Sequence, residues 1–399
     1  MTKLVPQVRF KGFDEAWESR KLGEIVNRLS KTSDSELLPK IEFEDIKAGE
    51  GTLNKDISHK FDSRKGILFE SGDILYGKLR PYLKNWLLAN FSGIALGDFW
   101  VLRAVEGIQF KFLYVLIQGN TYQSAANDTS GTKMPRSDWK KVSSTFIKIP
   151  LVPEQQQIGS LFQKLDTAIE LQQKQLDAQQ QFKKAMLQKM FPKKGAKVPE
   201  IRFAGFEDEW EITTLGDNGG TFTSLTGKTK EDFGHGDASY VPYVNVFNNA
   251  ITSIDKLEAI EIDSKQQQVQ HGDIFFTTSS ETPEEVGMSS VWLGNTKNVY
   301  LNSFCFGYRA TQKIDYVFFA FMLRNNVFRQ EMMLLAQGIS RYNISKVEVM
   351  KLPISIPSLP EQQRIGSFFK SLDDQISELE AKLAQTKQFK QALLQKMFI

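Results

Sequence analysis

The sequence predicts an α+β fold: two duplicated α/β domains separated by two long antiparallel coiled-coil helices. Three observations predict it. The 399-residue chain says nearly the same thing twice. The repeat keeps short framework segments while the stretches between them change in length and character. Each copy ends in a long run with the apolar period of a coiled coil.

The first copy opens on Val5-Pro6-Gln7-Val8-Arg9-Phe10-Lys11-Gly12-Phe13 and Trp17, the second on Val198-Pro199-Glu200-Ile201-Arg202-Phe203-Ala204-Gly205-Phe206 and Trp210, 193 residues later. Leu22-Gly23-Glu24 returns as Leu215-Gly216-Asp217. Gly72-Asp73-Ile74-Leu75 returns as Gly272-Asp273-Ile274-Phe275 at a spacing of 200, and Gly131 pairs with Gly338 at 207. The closing segment, Pro153-Glu154-Gln155-Gln156-Gln157-Ile158-Gly159-Ser160 through Leu187-Gln188-Lys189-Met190-Phe191, returns as Pro360-Glu361-Gln362-Gln363-Arg364-Ile365-Gly366-Ser367 through Leu394-Gln395-Lys396-Met397-Phe398. Its spacing is 207 at both ends, so no residue is gained or lost along the helix. The framework is therefore shared, while loops that tolerate insertion differ, which is where binding specificity resides in most folds. The expected boundaries are a first domain over 1–152, a helix over 153–191, a second domain over 192–359 with a linker at 192–197, and a second helix over 360–399.

Short apolar runs bounded by Gly, Asp and Ser read as strands: Ile67-Leu68-Phe69, Asp73-Ile74-Leu75-Tyr76, Val286 to Leu293, and Val299-Tyr300-Leu301. Phe110 to Gln123 and Tyr316 to Gln330 read as helices with apolar stripes. In the second long helix Ile365, Phe369, Leu372, Ile376, Leu379 and Leu383 step by four and three. The first follows the same frame with Ile158, Phe162, Leu165, Ile169 and Leu176 but places Gln172 and Gln179 in the seam. Pro192-Lys193-Lys194-Gly195 then breaks it. Such a helix spans roughly 55 Å at 1.5 Å per residue. The strict seam favours a helical partner, hence an antiparallel spacer holding the domains at opposite ends, over each helix lying on its own domain.

Composition narrows the class. Hydrophobic residues make up 41% of the chain and include 30 Phe, enough for well-filled cores. The net charge of +3 makes any basic surface a local one. A single cysteine, Cys305, excludes an internal disulfide framework and fits a reducing cytosol. The N-terminus lacks the apolar run of a signal peptide, and no window is long and apolar enough to span a membrane, so a soluble cytoplasmic protein is expected. Catalytic signals are missing together. The three histidines (His59, His235, His271) have no metal-like spacing. Gly227-Lys228-Thr229 resembles the end of a phosphate loop but has Phe222 where the first glycine belongs.

Basic and aromatic residues instead gather in the variable stretches. Lys78, Arg80, Tyr82 and Lys84 lie close together, and Lys133 and Arg136, with Lys140 and Lys141, follow Ser130-Gly131-Thr132. In the second copy the corresponding stretches hold Thr278, Ser279 and Ser280, and Arg341, Tyr342 and Asn343. Arg and Lys suit phosphates or guanine edges, and Asn suits adenine. Singly these read as solvated loop charges; their recurrence at matched framework positions points to a binding face for double-stranded DNA.

The order of parts resembles the specificity subunit of type I restriction–modification systems. The resemblance rests on Pro-x-x-Arg-Phe-x-Gly-Phe with a following Trp, Leu-Gly-Glu/Asp, Pro-Glu-Gln-Gln-x-Ile-Gly and a helix ending Leu-Gln-Lys-Met-Phe, all duplicated across essentially the whole chain. It implies two target recognition domains, a non-catalytic subunit without a cofactor of its own, and a complex with two modification subunits and two restriction subunits. S-adenosylmethionine, ATP and Mg would then belong to those partners. On this expectation Ile158, Phe162, Leu165 and Ile169, with Ile365, Phe369, Leu372 and Ile376, mark the helices that dock the modification subunits. Two other readings stay open: a stand-alone bipartite DNA-binding regulator, and a coiled-coil scaffold that binds no DNA.

Overall fold

The computed structural model describes residues 5–58, 60, 63–129 and 133–398. Ser130, Gly131, Thr132 and His59 lie outside the described residues, and with them the pairing of Gly131 with Gly338. The chain divides into two compact units, Met1–Lys174 with Ala381–Ile399, and Gln175–Glu380. These units cut through both long helices rather than following the boundaries expected from the repeat.

The first unit is built on a four-stranded antiparallel sheet in the order Val26–Leu29, Phe99–Ala104, Ile74–Gly77, Trp86–Leu88. The second unit repeats that order with Gly219–Phe222, Cys305–Ala310, Ile274–Thr277 and Ser289–Val291. Strand side chains alternate between two faces, and here both faces are covered. Ile74, Tyr76, Trp100 and Leu102 enter a core shared with the helices, whereas Leu75, Phe99 and Val101 enter a second core against a smaller sheet. Ile274, Phe276, Phe306 and Tyr308 divide in the same way from Phe275 and Cys305. Double-sided burial is why these strands read as unbroken apolar runs.

Two expected helices are each interrupted. Phe110–Leu116 is followed by a separate helix, Asn120–Asn127, with Gly119 as its extended N-cap. Tyr316–Met322 is followed by Asn326–Leu334, where the Asn325 side chain accepts a hydrogen bond from the Phe328 amide. In both, a polar or glycine residue offers the backbone a cap in place of a further turn. Of the expected strand from Val286 to Leu293, only Ser289–Val291 is extended into the ladder; Pro283–Glu285 just before it forms a short 3-10 turn.

The opening and closing motifs of each repeat meet where a long helix joins its domain. Arg9 donates twice to Glu154 (2.7 and 2.8 Å), and Arg202 twice to Glu361 at the same distances. Both carboxylates are buried, so the bidentate partner is what makes their ionised form tolerable there. Gln155 accepts from the Gln109 amide and donates to the Pro150 carbonyl; Gln362 does the same with Asp315 and Pro357. The glycine of each motif permits close approach. A Cβ on Gly159 would lie 2.8 Å from Lys111 Cβ, and one on Gly366 2.8 Å from the Phe318 amide nitrogen.

The long helices are Val152–Lys189 and Leu359–Met397. The expectation of a free spacer seam is corrected in part. Ile158 and Phe162 are wholly buried in the core of the first unit, and Ile365, Phe369 and Leu372 in that of the second. Leu165 packs against the first of these cores, while Ile169 and Ile376 are half-buried. The start of each helix therefore lies on its own domain, because its apolar stripe completes that domain's core. A helical partner is present as well. Within the first unit the end of the second helix runs antiparallel to the start of the first, with Lys390 Nζ 2.6 Å from Asp166. Within the second unit Lys183 pairs with Asp373 and Gln179 donates to Gln375 at 2.8 Å. Gln179, placed in the seam by its spacing, thus has a polar counterpart there.

The helix ends insert aromatic residues. Phe398 lies 6.1, 5.8 and 6.4 Å from the rings of Trp17, Phe112 and Phe162. Phe191 lies 6.1, 5.7 and 5.8 Å from Trp210, Phe318 and Phe369. The opening segments close over them: the Val8 amide donates to Lys396 O, and the Ile201 amide to Lys189 O, which satisfies one of the last helical carbonyls in each case. Phe191→Ala is expected to destabilise the second unit by about 3–5 kcal/mol, the range for emptying a packed aromatic site. Phe389→Ala, on the exposed side of the second helix, should stay within about 0.5 kcal/mol of the parent. Urea unfolding followed by tryptophan fluorescence measures both.

Candidate nucleic-acid interface

In the first unit the chain leaves the strand Ile74–Gly77 through a tight excursion. Arg80 and Lys84 adopt left-handed backbone (φ 49° and 57°) on either side of the 3-10 turn Pro81–Leu83. Non-glycine residues held there carry strain of about 1–3 kcal/mol each, which concentrates at binding sites. The excursion pushes Arg80, Tyr82, Leu83 and Lys84 into solvent. The second predicted stretch lies directly against it. Leu79 and Arg136 form an antiparallel bridge, the Arg80 amide donates to Pro135 O at 2.7 Å, and the Ser137 amide to Lys78 O at 2.8 Å. Residues far apart in sequence, Lys78 to Lys84 and Lys133 to Arg136, thus form one surface. Asp98 organises it: its carboxylate accepts from Arg136 at 2.9 Å and lies 3.5 Å from Lys78 Nζ.

The second unit brings its predicted residues together in the same way. Ser279–Ser280 pairs with Tyr342–Asn343 in a short antiparallel ladder, Ser279 opposite Asn343. Thr278 donates from both its amide and its hydroxyl to Phe304 O, at 2.9 and 2.8 Å. Gln337 and Asn343 exchange backbone hydrogen bonds across the loop, and Gly338 turns it at φ 138°, where a Cβ would lie 2.1 Å from Arg341 O. Ser279 and Ser280 are buried, Tyr342 is half-buried, and Arg341 and Asn343 are exposed. The serines therefore shape the surface while Arg341 and Asn343 present it.

Beside this ladder lies a cleft of about 440 Å³ lined by Tyr243, Phe247, Ser280, Glu281, Glu285 and Arg341, among others. Tyr243 and Phe247 stack at 5.9 Å, and the Tyr243 hydroxyl donates to Ser279 O at 2.7 Å. Two arginines hold its walls from behind. Arg324 donates to the carbonyls of Ser289, Val246, Phe247 and Asn249 at 2.7–3.0 Å. Arg329 donates to those of Gly287, Glu284 and Val286 at 2.6–2.8 Å. Burial pushes both guanidinium groups down, to about 10, so they remain charged at neutral pH and grip carbonyl dipoles.

The two surfaces share a frame and differ in chemistry. The amides of Lys78 and Thr278 reach equivalent carbonyls, those of Asp98 and Phe304. Asp98 holds Arg136 by charge, whereas Phe304 lies under the Arg341 guanidinium at 5.7 Å. Two residues before Arg136 the first unit has Met134, exposed, where the second, two residues before Asn343, has Arg341. Sequence reasoning missed Asp98, Phe304, Tyr243, Phe247, Arg324 and Arg329. Arg324 and Arg329 carried a faint signal, as charges on an otherwise apolar helical stretch; the others had none.

A family model described as the type I restriction modification DNA specificity domain matches this chain twice, over residues 14–179 and 207–387. The chain belongs to this family. Among specificity subunits, it is 24% identical over 286 residues to that of the type I restriction enzyme MjaVIII of Methanocaldococcus jannaschii, covering 63% of this chain and 60% of that one. It is 33% identical over 91 residues to that of EcoDI of Escherichia coli, covering 23% of this chain and 20% of that one. The matches thus span 60% or less of these relatives' lengths. The type I restriction–modification S subunit from M. genitalium shares the fold, with a TM-score of 0.59 at 14% identity and 99% of each chain covered. So does a chain from a structure of complex assembly and conformational transition of the type I R-M system, with a TM-score of 0.56 at 19% identity, covering 96% of this chain and 98% of that one. Among the described residues no helix is long and apolar enough to cross a membrane.

In this specificity-domain chain, Arg324→Leu should strand four carbonyls around the cleft of the second unit. The expected loss is about 3 kcal/mol or more, since bonds to a charged donor contribute about 1.5–3 kcal/mol each but not additively. Differential scanning calorimetry would show it.

Proposed function

We propose that this chain is the DNA sequence-specificity subunit of a type I restriction–modification complex, with each unit reading one half of a bipartite site. The observation that carries the reading is the pairing of unlike side chains on equivalent frames: Asp98 with Arg136 in one unit, Phe304 with Arg341 in the other. Two copies of one framework are retained, and they carry unlike exposed residues, Met134 and Arg136 in one and Arg341 and Asn343 in the other. The chain supplies address rather than chemistry, and adenine methylation, translocation and cleavage fall to modification and restriction subunits with S-adenosylmethionine, ATP and Mg. The long helices set the unread gap between the half-sites.

Replacing residues 1–152 with those of a relative is expected to change one half-site and to leave the other half and the gap as they were. Methylome sequencing of a host carrying the exchanged chain reads all three at once. A change in both half-sites would overturn modular reading.

The helices also dock the modification subunits, on this proposal. Because Ile158, Phe162, Ile365, Phe369 and Leu372 are committed to the domain cores, docking uses the faces left open. Those faces carry Leu171 and the repeat-equivalent pair Phe182 and Phe389, all exposed. Phe182→Asp with Phe389→Asp should abolish co-purification with the modification subunit while the far-ultraviolet circular dichroism and melting temperature stay near those of the parent. Full assembly by the double variant would sink this part of the proposal.

A further inference from the structure

The Arg341 guanidinium is fixed along one edge and open along another. Its Nε and one terminal nitrogen both donate to the buried Ser279 Oγ, at 3.3 and 3.1 Å. A guanidinium has five N–H groups in a rigid planar fork, so this leaves the edge formed by its two terminal nitrogens with donors to spare. The guanidinium carbon lies over the Phe304 ring, 5.7 Å from its centroid. The loop behind it is pinned by the Gln337–Asn343 exchange, and Arg324 and Arg329 pin the facing walls. Among the described residues no carboxylate is ion-paired to Arg341.

Its surroundings choose between the two things an arginine can grip on DNA. Glu281 and Glu285 line the same cleft and are exposed. Two carboxylates repel a phosphate strand but tolerate a neutral base edge. A planar fork held edge-on matches the O6 and N7 acceptors of guanine, the pairing by which arginine most often specifies a base. We propose that Arg341 reads a guanine in the half-site of the second unit, with Ser279 as its positioning residue. This rests on the proposed DNA-specificity reading. In the first unit Met134 stands at the corresponding loop position and offers no such fork, so this guanine contact is confined to one half-site.

The test uses the complex of the full chain with its modification subunit and duplexes carrying its methylated site. Each guanine of the second half-site is replaced singly by 7-deazaguanine, which lacks the N7 acceptor. One replacement should weaken binding by the parent about fivefold or more, the lower end of the discrimination of a bidentate pair. Arg341→Gln should bind the natural duplex weakly and feel no further loss from that replacement, while discrimination at the first half-site stays intact and reports a folded complex. Arg341→Lys should keep non-specific affinity and lose the guanine preference. Ser279→Ala should shrink the 7-deazaguanine effect without altering salt dependence. The inference is overturned by a second half-site without guanine, by undiminished sensitivity to every replacement in Arg341→Gln, or by a uniform loss of affinity with a salt slope reduced by about one, the mark of a phosphate contact. Those results leave sequence-selective binding at both half-sites in place. A parent complex that prefers no duplex at all would instead overturn the specificity reading itself.

Discussion

Phe191 and Phe398, the last apolar residues of the two repeated helix ends, fill equivalent aromatic sockets, and each socket is made by the other copy of the repeat. Phe398 meets Trp17, Phe112 and Phe162 in the first unit; Phe191 meets Trp210, Phe318 and Phe369 in the second. Neither repeat therefore has a complete core by its own sequence. The short closing motif is kept twice because it is the plug of a core and not the tail of a helix. The antiparallel ion pairs, Lys390 with Asp166 and Lys183 with Asp373, set the register at which each plug arrives.

Around that closure the remaining motifs become intelligible. The arginine of the opening segment neutralises the buried glutamate at the start of the long helix, and the glutamine beside it caps the neighbouring helix. Glycine at the next turn lets the two helices touch. Every one of these contacts lies on the helical side of the central sheet. The candidate surface begins in the stretches that follow the strands Ile74–Gly77 and Ile274–Thr277. Its geometry is held by backbone hydrogen bonds common to both units, so the side chains above them can change without disturbing the frame.

The duplication, the two-domain α+β class and the long helices were all legible in the residues. They are written in local periodicity and in the spacing of repeated segments, both of which follow from chain geometry alone. Lys78 to Lys84 and Lys133 to Arg136 could be named as belonging to one face because the second copy carries matched stretches. What they touch could not. Asp98 and Phe304 sit in unremarkable sequence, and only the approach of two loops over a shared carbonyl turns one into a charge clamp and the other into a platform. Likewise the apolar seam told that the long helices bury a stripe. Whether that stripe meets a helix, its own domain or both depends on which surface is near, and the folded chain uses both. Periodicity specifies which side of an element is dry; the partner on that side is set by long-range packing, which no short window of sequence contains.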